Sequence, residues 1–170
     1  LKQGDKEPGE LTKINKAVVK MQSLISDLLD SASLESGQLK LNMEDIEMNQ
    51  LIEEVIDNNQ SLAIRKKQEI KLSTGSNCIV KGDKIKLMQV FDNLINNASK
   101  YAPGSTVIIR LYIEGKDAVI KVIDDGPGIA KEHLEKIFQR FYRVPETRMA
   151  VRGSGLGLYI CRQIVIAHHG

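Results

Sequence analysis

The sequence predicts an α+β fold, an α/β sandwich in which a mixed β-sheet carries helices on one face, preceded by a long helix of the kind found in helix bundles. Three observations carry this prediction. Apolar residues recur at spacings of three and four near the start of the chain, they alternate with polar residues over residues 107–113, and the helical spacing returns after residue 155.

Composition limits both the size of the domain and its class of function. With 170 residues, of which 42% are apolar and 27% charged, the chain has room for one domain with an ordinary core, or for a small domain with an appendage. The net charge of +2 argues against a nucleic-acid binder held by bulk electrostatics. No apolar run approaches the about 20 residues that a membrane span requires, so no membrane contact is expected of this segment. Cys78 and Cys161 lack metal-ligand spacing and are expected to be buried thiols in a reducing compartment.

The first predicted element is a bundle helix. The opening ten residues are rich in glycine, proline and charge, and predict a loop. Apolar residues then recur at helical spacing, at Leu11, Ile14, Ala17, Met21, Leu24 and Leu28. The helix is expected to end near Gly37. Because one such helix cannot cover its own apolar seam, it needs an antiparallel neighbour, a second copy of the chain, or both; a helix lying on the globular body is the alternative.

The globular body begins after a short extended segment and turn, and we place the domain boundary between residues 45 and 46. Asp83 is positioned to cap a helix that Pro103 and Gly104 end. The predicted elements of the body are, in order, a helix over 51–64, strands at 70–72 and 78–80, the helix that follows Asp83, a hairpin of strands over 107–113 and 118–123, and a last helix from about residue 155.

The first candidate site segment, residues 92–101, interrupts an apolar helix with three asparagines, which are mediocre helix formers. Asn93, Asn97 and Lys100 follow one another at spacings of four and three, so their side chains share one face of the helix. Amide oxygens suit a hard cation that keeps most of its waters, and an ammonium group suits phosphate. The alternative is a solvated helix face.

The second segment, residues 122–130, runs from a buried-type strand into Asp124, Gly126 and Gly128. A carboxylate at a strand end, followed by glycines that let a ligand approach the backbone, suggests a pocket floor where the acid accepts a hydrogen bond from an amine such as that of adenine. An ordinary turn remains the alternative, because these residue types also make turns.

The third and fourth segments flank a polar stretch. Residues 137–143 hold three of the seven aromatic residues of the chain among two arginines, and without context a hydrophobic plug is the favoured interpretation. Residues 152–158 open the last helix with alternating glycines, which suits an anion site at a helix start, although a flexible hinge explains them equally well. The stretch between them, residues 144–151, is a candidate lid over a bound ligand.

In this order and at these separations, the four segments resemble the nucleotide-binding boxes of bacterial sensor histidine kinases of two-component systems. Residues 93–101 resemble the N box, 124–128 the first glycine box, 137–143 the F box and 153–158 the second glycine box. Residues 27–41 resemble the second helix of the dimerisation and phosphotransfer domain. The resemblance implies the histidine-kinase ATPase fold, with ATP and Mg²⁺ as cofactors.

Carried over by position, the resemblance implies roles for two groups of residues. Asn97 would ligate Mg²⁺ with help from Asn93, and Lys100 would contact phosphate. Arg143 would reach the terminal phosphates, and Tyr142 beside it would line the nucleotide site. Asn93, Asn97, Lys100 and Arg143 would carry catalysis, mostly by positioning and charge neutralisation.

The remaining implied roles concern the base and the main chain. Tyr101 would lie near the adenine or ribose, and Asp124 would accept from the adenine amino group in a pocket shaped by Gly126 and Gly128. Backbone donors for the triphosphate would come from Gly153, Gly155, Leu156 and Gly157.

The parent protein would pass the γ-phosphate of ATP to its own histidine, and then to an aspartate of a response-regulator receiver domain, in signal transduction. We expect a homodimeric parent in the cytoplasm, either free or anchored to the inner membrane. A non-catalytic nucleotide-binding or dimerisation module is the second hypothesis. An ATPase of the same superfamily is the third; it is disfavoured because Asn93 stands where related ATPases usually carry a glutamate base, and Asp92, about 100° around the helix, should not substitute.

The resemblance has two gaps. No His-Glu-x-x-x-Pro phosphoacceptor motif is present, since His133 is expected at the surface and His168 and His169 at the tail of the last helix. Residues 1–45 are thus interpreted as a partial dimerisation segment without the phosphoacceptor helix, and residues 46–170 as the catalytic ATP-binding domain without its closing strands. We therefore expect no autophosphorylation of this chain on the usual histidine.

Overall fold

The computed structural model describes residues 8–35, 40–75, 77–148, 151 and 153–170. The chain divides into two compact units, residues 1–39 and 40–170. The division falls a few residues before the predicted domain boundary. No helix in the described ranges is both long and apolar enough to cross a bilayer.

The first unit contains one helix, α1, over Pro8–Glu35. Its start corrects the predicted opening loop, because a proline at the first helical position has its φ angle already set for the helix and its missing N–H is not needed there. Residues 1–7 and Gly37 lie outside the described residues. Apolar side chains of α1 are exposed at the described positions Leu11, Ile14, Val18, Met21, Ile25 and Leu28.

The second unit contains five strands and three α-helices among its described residues. They are β1 (Glu44–Glu47), α2 (Met48–Lys66), β2 (Glu69–Thr74), β3 (Ile79–Gly82), α3 (Lys84–Tyr101), β4 (Thr106–Glu114), β5 (Asp117–Ile123) and α4 (Gly157–Ala167). Short 3₁₀ turns lie at Lys131–His133 and Pro145–Thr147. The predicted elements of the body are all present, and α4 begins two residues later than expected.

The main sheet has the strand order β2-β4-β5, with β4 parallel to β2 and antiparallel to β5. This arrangement confirms the predicted mixed sheet and hairpin. A separate antiparallel pair joins β1 to β3, with Ile46 opposite Val80. The prediction gave no partner for β3 and treated β1 only as an extended segment.

The main core lies between one face of the sheet and the helices α2 and α3. Ile52 and Val55 of α2, Ile95 of α3, and Ile109 and Leu111 of β4 are all at most 1% exposed. Each such side chain contributes about 1.5–3 kcal/mol through burial. Because the buried residues of β4 alternate with more exposed ones, the helices cover a single face of the sheet, as predicted.

A second cluster packs α4 against α3. It consists of buried Val90 on α3 together with Leu156, Ile160, Cys161 and Ile164. The thiol of Cys161 donates to the carbonyl oxygen of Val90 at 3.7 Å. This contact holds the middle of α4 against Val90 in α3, and the cluster as a whole packs the two helices together.

The start of α3 is held from two sides. The carboxylate of Asp83 accepts hydrogen bonds from the N–H groups of Lys86 at 3.0 Å and Asn42 at 2.9 Å, so Asp83 caps the helix as predicted. Burial raises the pKa of Asp83, but the backbone donors outweigh burial and the net pKa lies below its ordinary value. The Asp83 N–H donates to Nε2 of His168, whose Nδ1 bonds the carbonyl oxygen of Ile164. The start of α3 and the carboxyl end of α4 are thereby joined by hydrogen bonds.

Candidate functional site

The middle of α3 presents the predicted polar face. Asn93 and Asn97 are half-buried and Lys100 is exposed, while Phe91 and Ile95 turn into the core. The amide nitrogen of Asn93 is fully buried and has no hydrogen-bond partner within the described part of the chain. A buried amide without a partner costs about 1–3 kcal/mol, so this position favours a bound polar group.

The neighbouring polar residues of α3 face elsewhere. The side chain of Asn59 on α2 donates to the Asp92 carboxylate at 2.6 Å, and the side chain of Asn96 donates to the Asp92 carbonyl oxygen at 2.7 Å. The Asp92 carboxylate therefore serves a contact between α2 and α3. This agrees with the expectation that Asp92 does not replace the missing base at position 93.

The first glycine segment lies at the carboxyl end of α3. A methyl group added to Gly126 would lie 3.1 Å from the Cβ of Ala102 and 2.6 Å from Oδ1 of Asp124. The N–H of Gly126 donates to that same oxygen at 2.8 Å. The exposed carboxylate of Asp124 is thus held next to the end of the helix that carries Lys100 and Tyr101.

The second glycine segment contacts the middle of α3. Gly157 is the first residue of α4, and a methyl group there would lie 3.3 Å from Oδ1 of Asn93. The preceding residue, Leu156, is 1% exposed and anchors the segment in the second core cluster. Within the described residues, no side chain caps the first turn of α4, although the N–H of Leu156 just before it donates to Oγ of Ser154 at 3.3 Å. Uncapped N–H groups at a helix start bind anions, and these lie beside the asparagine face.

The F box meets the second glycine segment through the backbone. The N–H of Phe141 donates to the carbonyl oxygen of Gly155 at 3.0 Å, and a methyl group on Gly155 would lie 2.7 Å from the carbonyl carbon of Phe141. Gly155 has a φ of +76°, a conformation that favours glycine. Phe138 and Phe141 remain partly exposed, so the segment is not the fully buried plug that its composition favours.

Arg143 contacts the candidate lid. Its guanidinium donates to the carbonyl oxygens of Arg148, at 3.0 Å, and Val151. These bonds hold the segment that follows the turn Pro145–Thr147. The predicted contact between Arg143 and the terminal phosphates stays a prediction.

His133 corrects one expectation. Predicted at the surface, it is 7% exposed, and its Nδ1 lies 2.8 Å from the hydroxyl oxygen of Tyr142. Because its neighbours in the sequence are charged, the sequence pattern gave no sign that His133 is buried. Tyr142 itself was predicted to line the nucleotide site, and the structure shows its hydroxyl group directed at this histidine.

A second residue that sequence reasoning missed is Gln68. It is 8% exposed, and its side-chain nitrogen donates to the carbonyl oxygens of Ala98 at 3.3 Å and Ala102 at 2.6 Å. Gln68 therefore fixes the carboxyl end of α3. A lone glutamine before a strand gives no signal of this role.

The described contacts thus join the four segments around α3. The first glycine segment contacts its carboxyl end, the second contacts its middle, and the F box contacts the second. Among the described residues, no heavy atom lies within 4 Å of a methyl group added to Gly128 or Gly153. A separate groove of about 970 Å³, lined by residues that include Leu94, Phe138 and Arg162, contains none of the predicted site residues.

Comparison with known proteins assigns the chain to a family. The sequence profile of the family described as "Histidine kinase-, DNA gyrase B-, and HSP90-like ATPase" matches residues 82–170. The chain belongs to this family. The predicted resemblance and fold class are therefore confirmed.

Individual relatives narrow the class to sensor kinases. The sensor histidine kinase CusS of Escherichia coli K12 is 35% identical over 157 residues, which cover 90% of this chain and 32% of CusS. Among solved structures, the histidine kinase AdeS of Acinetobacter baumannii has a TM-score of 0.79 at 25% identity, covering 98% of this chain and 76% of that chain. Full-length ShkA in complex with AMPPNP has a TM-score of 0.83 at 25% identity, covering 98% of this chain and 35% of that chain. The chain thus spans about a third of the length of CusS.

Proposed function

We propose that this chain is the catalytic, ATP-binding portion of a sensor histidine kinase, which transfers the γ-phosphate of ATP to a histidine of the parent protein. The observation that carries the proposal is the position of Asn93, whose amide nitrogen is buried without a partner among the described residues, beside Gly157 at the start of α4, where an added methyl group would lie 3.3 Å from Oδ1 of Asn93. It joins a polar helix face to a main-chain anion site. The same face ends, at Tyr101, against the segment that holds Asp124.

The nucleotide would lie along α3. Asp124 accepts from the adenine amino group at the carboxyl end of the helix, and the phosphates meet the first turn of α4, Lys100 and Arg143. Supporting this orientation, the carboxylate of Asp124 is exposed while one of its oxygens is fixed by the N–H of Gly126. The resemblance of the fold to ShkA, solved with an ATP analogue, supports the same ligand class.

The residues present also fit Mg²⁺. Amide oxygens of Asn97 and Asn93 are hard ligands suited to a cation that keeps several waters. The unpartnered amide nitrogen of Asn93 is a donor, so it would serve a phosphate oxygen and not the cation. When bound, the ion would neutralise charge on the β- and γ-phosphates. The side chains of this protein position and shield the nucleotide.

A histidine acceptor explains the absence of a carboxylate base. A neutral imidazole is already nucleophilic, so Asn93 needs only to position ligands. An ATPase must activate water, and the nearest acid on the helix, Asp92, is bound to Asn59. This contact disfavours hydrolysis as the main activity.

We further propose that residues 1–45 are part of the dimerisation and phosphotransfer domain, and that residues 46–170 are the catalytic domain. The exposed apolar seam of α1 supports a homodimeric parent. The phosphoryl group would then pass to a response-regulator receiver domain in the cytoplasm.

Calorimetry with a non-hydrolysable ATP analogue tests the proposal. We expect binding that Mg²⁺ strengthens, and we expect Asn97→Ala to remove that strengthening. Asn96→Ala is the matched control, because the Asn96 side chain bonds the Asp92 carbonyl oxygen and should leave binding unchanged.

Competition with a guanine analogue tests the proposed contact between Asp124 and the adenine base. The wild-type protein should prefer adenine, and Asp124→Ala should abolish the preference, whereas Asp125→Ala should keep it. Absence of nucleotide binding by the wild type would favour an inert scaffold. Equal binding by Asn97→Ala and Asn96→Ala would show that the metal assignment is wrong.

A further inference from the structure

We infer that His133 is a positioning residue of the nucleotide site, and this inference rests on the proposed function. His133 is buried, lies before the F box, and contacts one of the predicted nucleotide-site residues, Tyr142. Its role is to hold Tyr142, and through the adjoining backbone to hold Phe141 and Arg143 in place.

The imidazole has a partner on each nitrogen. Nδ1 lies 2.8 Å from the Tyr142 hydroxyl oxygen, and Nε2 lies 3.5 Å from a carboxylate oxygen of Glu132 and 3.6 Å from one of Glu146. In the neutral tautomer with its proton on Nε2, Tyr142 donates to Nδ1 and the Nε2–H faces the two glutamates; in the other neutral tautomer, Nδ1–H donates to the Tyr142 oxygen. In the cation, both nitrogens donate. Each form keeps the bond to Tyr142.

The contacts at the two ring nitrogens differ in strength. The glutamate side chains are 73% and 70% exposed, so solvent screens their attraction to Nε2. The bond to Tyr142 is short and half-buried, and its loss would leave a buried ring nitrogen without a partner. We therefore assign the positioning role to Nδ1.

Tyr142 lies between two residues that contact other parts of the site. On one side, the N–H of Phe141 bonds the carbonyl oxygen of Gly155 at 3.0 Å. On the other, Arg143 donates to carbonyl oxygens of the lid. Phe141 has a positive φ of 62°, which is unfavourable for a bulky residue and persists only where neighbours fix the backbone. The bond between His133 and Tyr142 supplies that restraint one residue away.

Two substitutions separate the ring nitrogens. The side-chain amide of His133→Asn reaches the place of Nδ1, whereas that of His133→Gln reaches toward Nε2. The Asn variant should therefore keep the bond to Tyr142, and the Gln variant should lose it. Tyr142→Phe removes the same bond from the other side, and His169→Asn is a control at an exposed histidine.

Amide hydrogen exchange of the nucleotide-free protein, measured by NMR, is the first readout. In His133→Gln and Tyr142→Phe, the Phe141 amide should exchange about tenfold faster, while His133→Asn and His169→Asn keep the wild-type rate. The amide of Ile95 in the core should be unchanged in all four, which separates positioning from unfolding. Wild-type exchange at Phe141 in both His133→Gln and Tyr142→Phe would overturn the inference.

Nucleotide affinity is the second readout. Binding of the ATP analogue should weaken about three- to tenfold in His133→Gln and Tyr142→Phe, and the double variant should weaken no further, because both remove one bond. If the wild type binds and both variants bind equally well, His133 does not position the nucleotide site, while the proposed function stands. If the wild type fails to bind, the proposed function fails, and the exchange rates still decide whether His133 holds the F box.

Discussion

Replacing Gly155 with alanine should lower the stability of the second unit by more than the cost of its positive φ angle alone, because the added methyl group would also clash with a neighbouring backbone. Its φ of +76° costs an alanine about 1–2 kcal/mol. The added methyl would also lie 2.7 Å from the carbonyl carbon of Phe141, well inside the about 3.5–4.0 Å at which carbon atoms attract. Because the neighbour is backbone, relief requires the chain to shift, at a further cost of about 1–3 kcal/mol. The free energy of unfolding should therefore fall by about 2–5 kcal/mol.

Substitutions at two other glycines separate the cost of the positive φ angle from the cost of the steric clash. Gly104 has a φ of +81° and nothing within 4 Å of an added methyl, so Gly104→Ala should cost only about 1–2 kcal/mol. Gly153 has open space and no positive φ, so Gly153→Ala should leave stability unchanged to within about 1 kcal/mol. Urea denaturation of the three variants measures the differences. A loss in Gly155→Ala no larger than that in Gly104→Ala would refute the assigned contact with Phe141.

Two further predictions concern the ends of α3. Asp83→Asn should lower the free energy of unfolding at pH 7 by about 1 kcal/mol, because Asn caps without charge. The folded-state pKa of Asp83 lies below its ordinary value, so its charge stabilises the fold above about pH 4. The stability difference between the wild type and Asp83→Asn should therefore vanish as the pH falls through the folded-state pKa. Denaturation curves that show the same difference at every pH would contradict this. Gln68→Ala should cost about 1–3 kcal/mol by removing the donor to Ala98 and Ala102, measured against the exposed control Gln60→Ala, and equal losses would contradict the role of Gln68.

Much of the fold follows from local patterns in the sequence. The hairpin of β4 and β5 was predictable because strict alternation reports a half-buried strand, and the Asp83 cap because its chemistry is local. The pairing of β1 with β3 was not predictable. Each of these strands has only four residues, and β1 carries three acidic side chains around Ile46. No apolar pattern therefore predicts that they pair with each other across the chain.

The candidate site was predictable to a similar depth. Helical spacing alone places Asn93, Asn97 and Lys100 on one face, and the structure agrees that Asp92 turns away from it. The contact of Asn93 with Gly157 depends instead on how the second cluster packs α4 onto α3, which residue spacing does not encode. His133 was misjudged for the same reason, since its burial depends on packing within the F box region.

The glycines of the second glycine segment serve different physical purposes. Gly155 is required by its φ and by the backbone of Phe141, and Gly157 leaves room for the amide of Asn93. Neither reason applies to Gly153, where an added methyl group would meet no described heavy atom within 4 Å. A motif of alternating glycines is weak evidence for a phosphate site when all of them can be explained by the fold. Here the fold explains two, so what favours a ligand at this motif is Gly153 together with the N–H groups of the first turn of α4, which no described side chain caps.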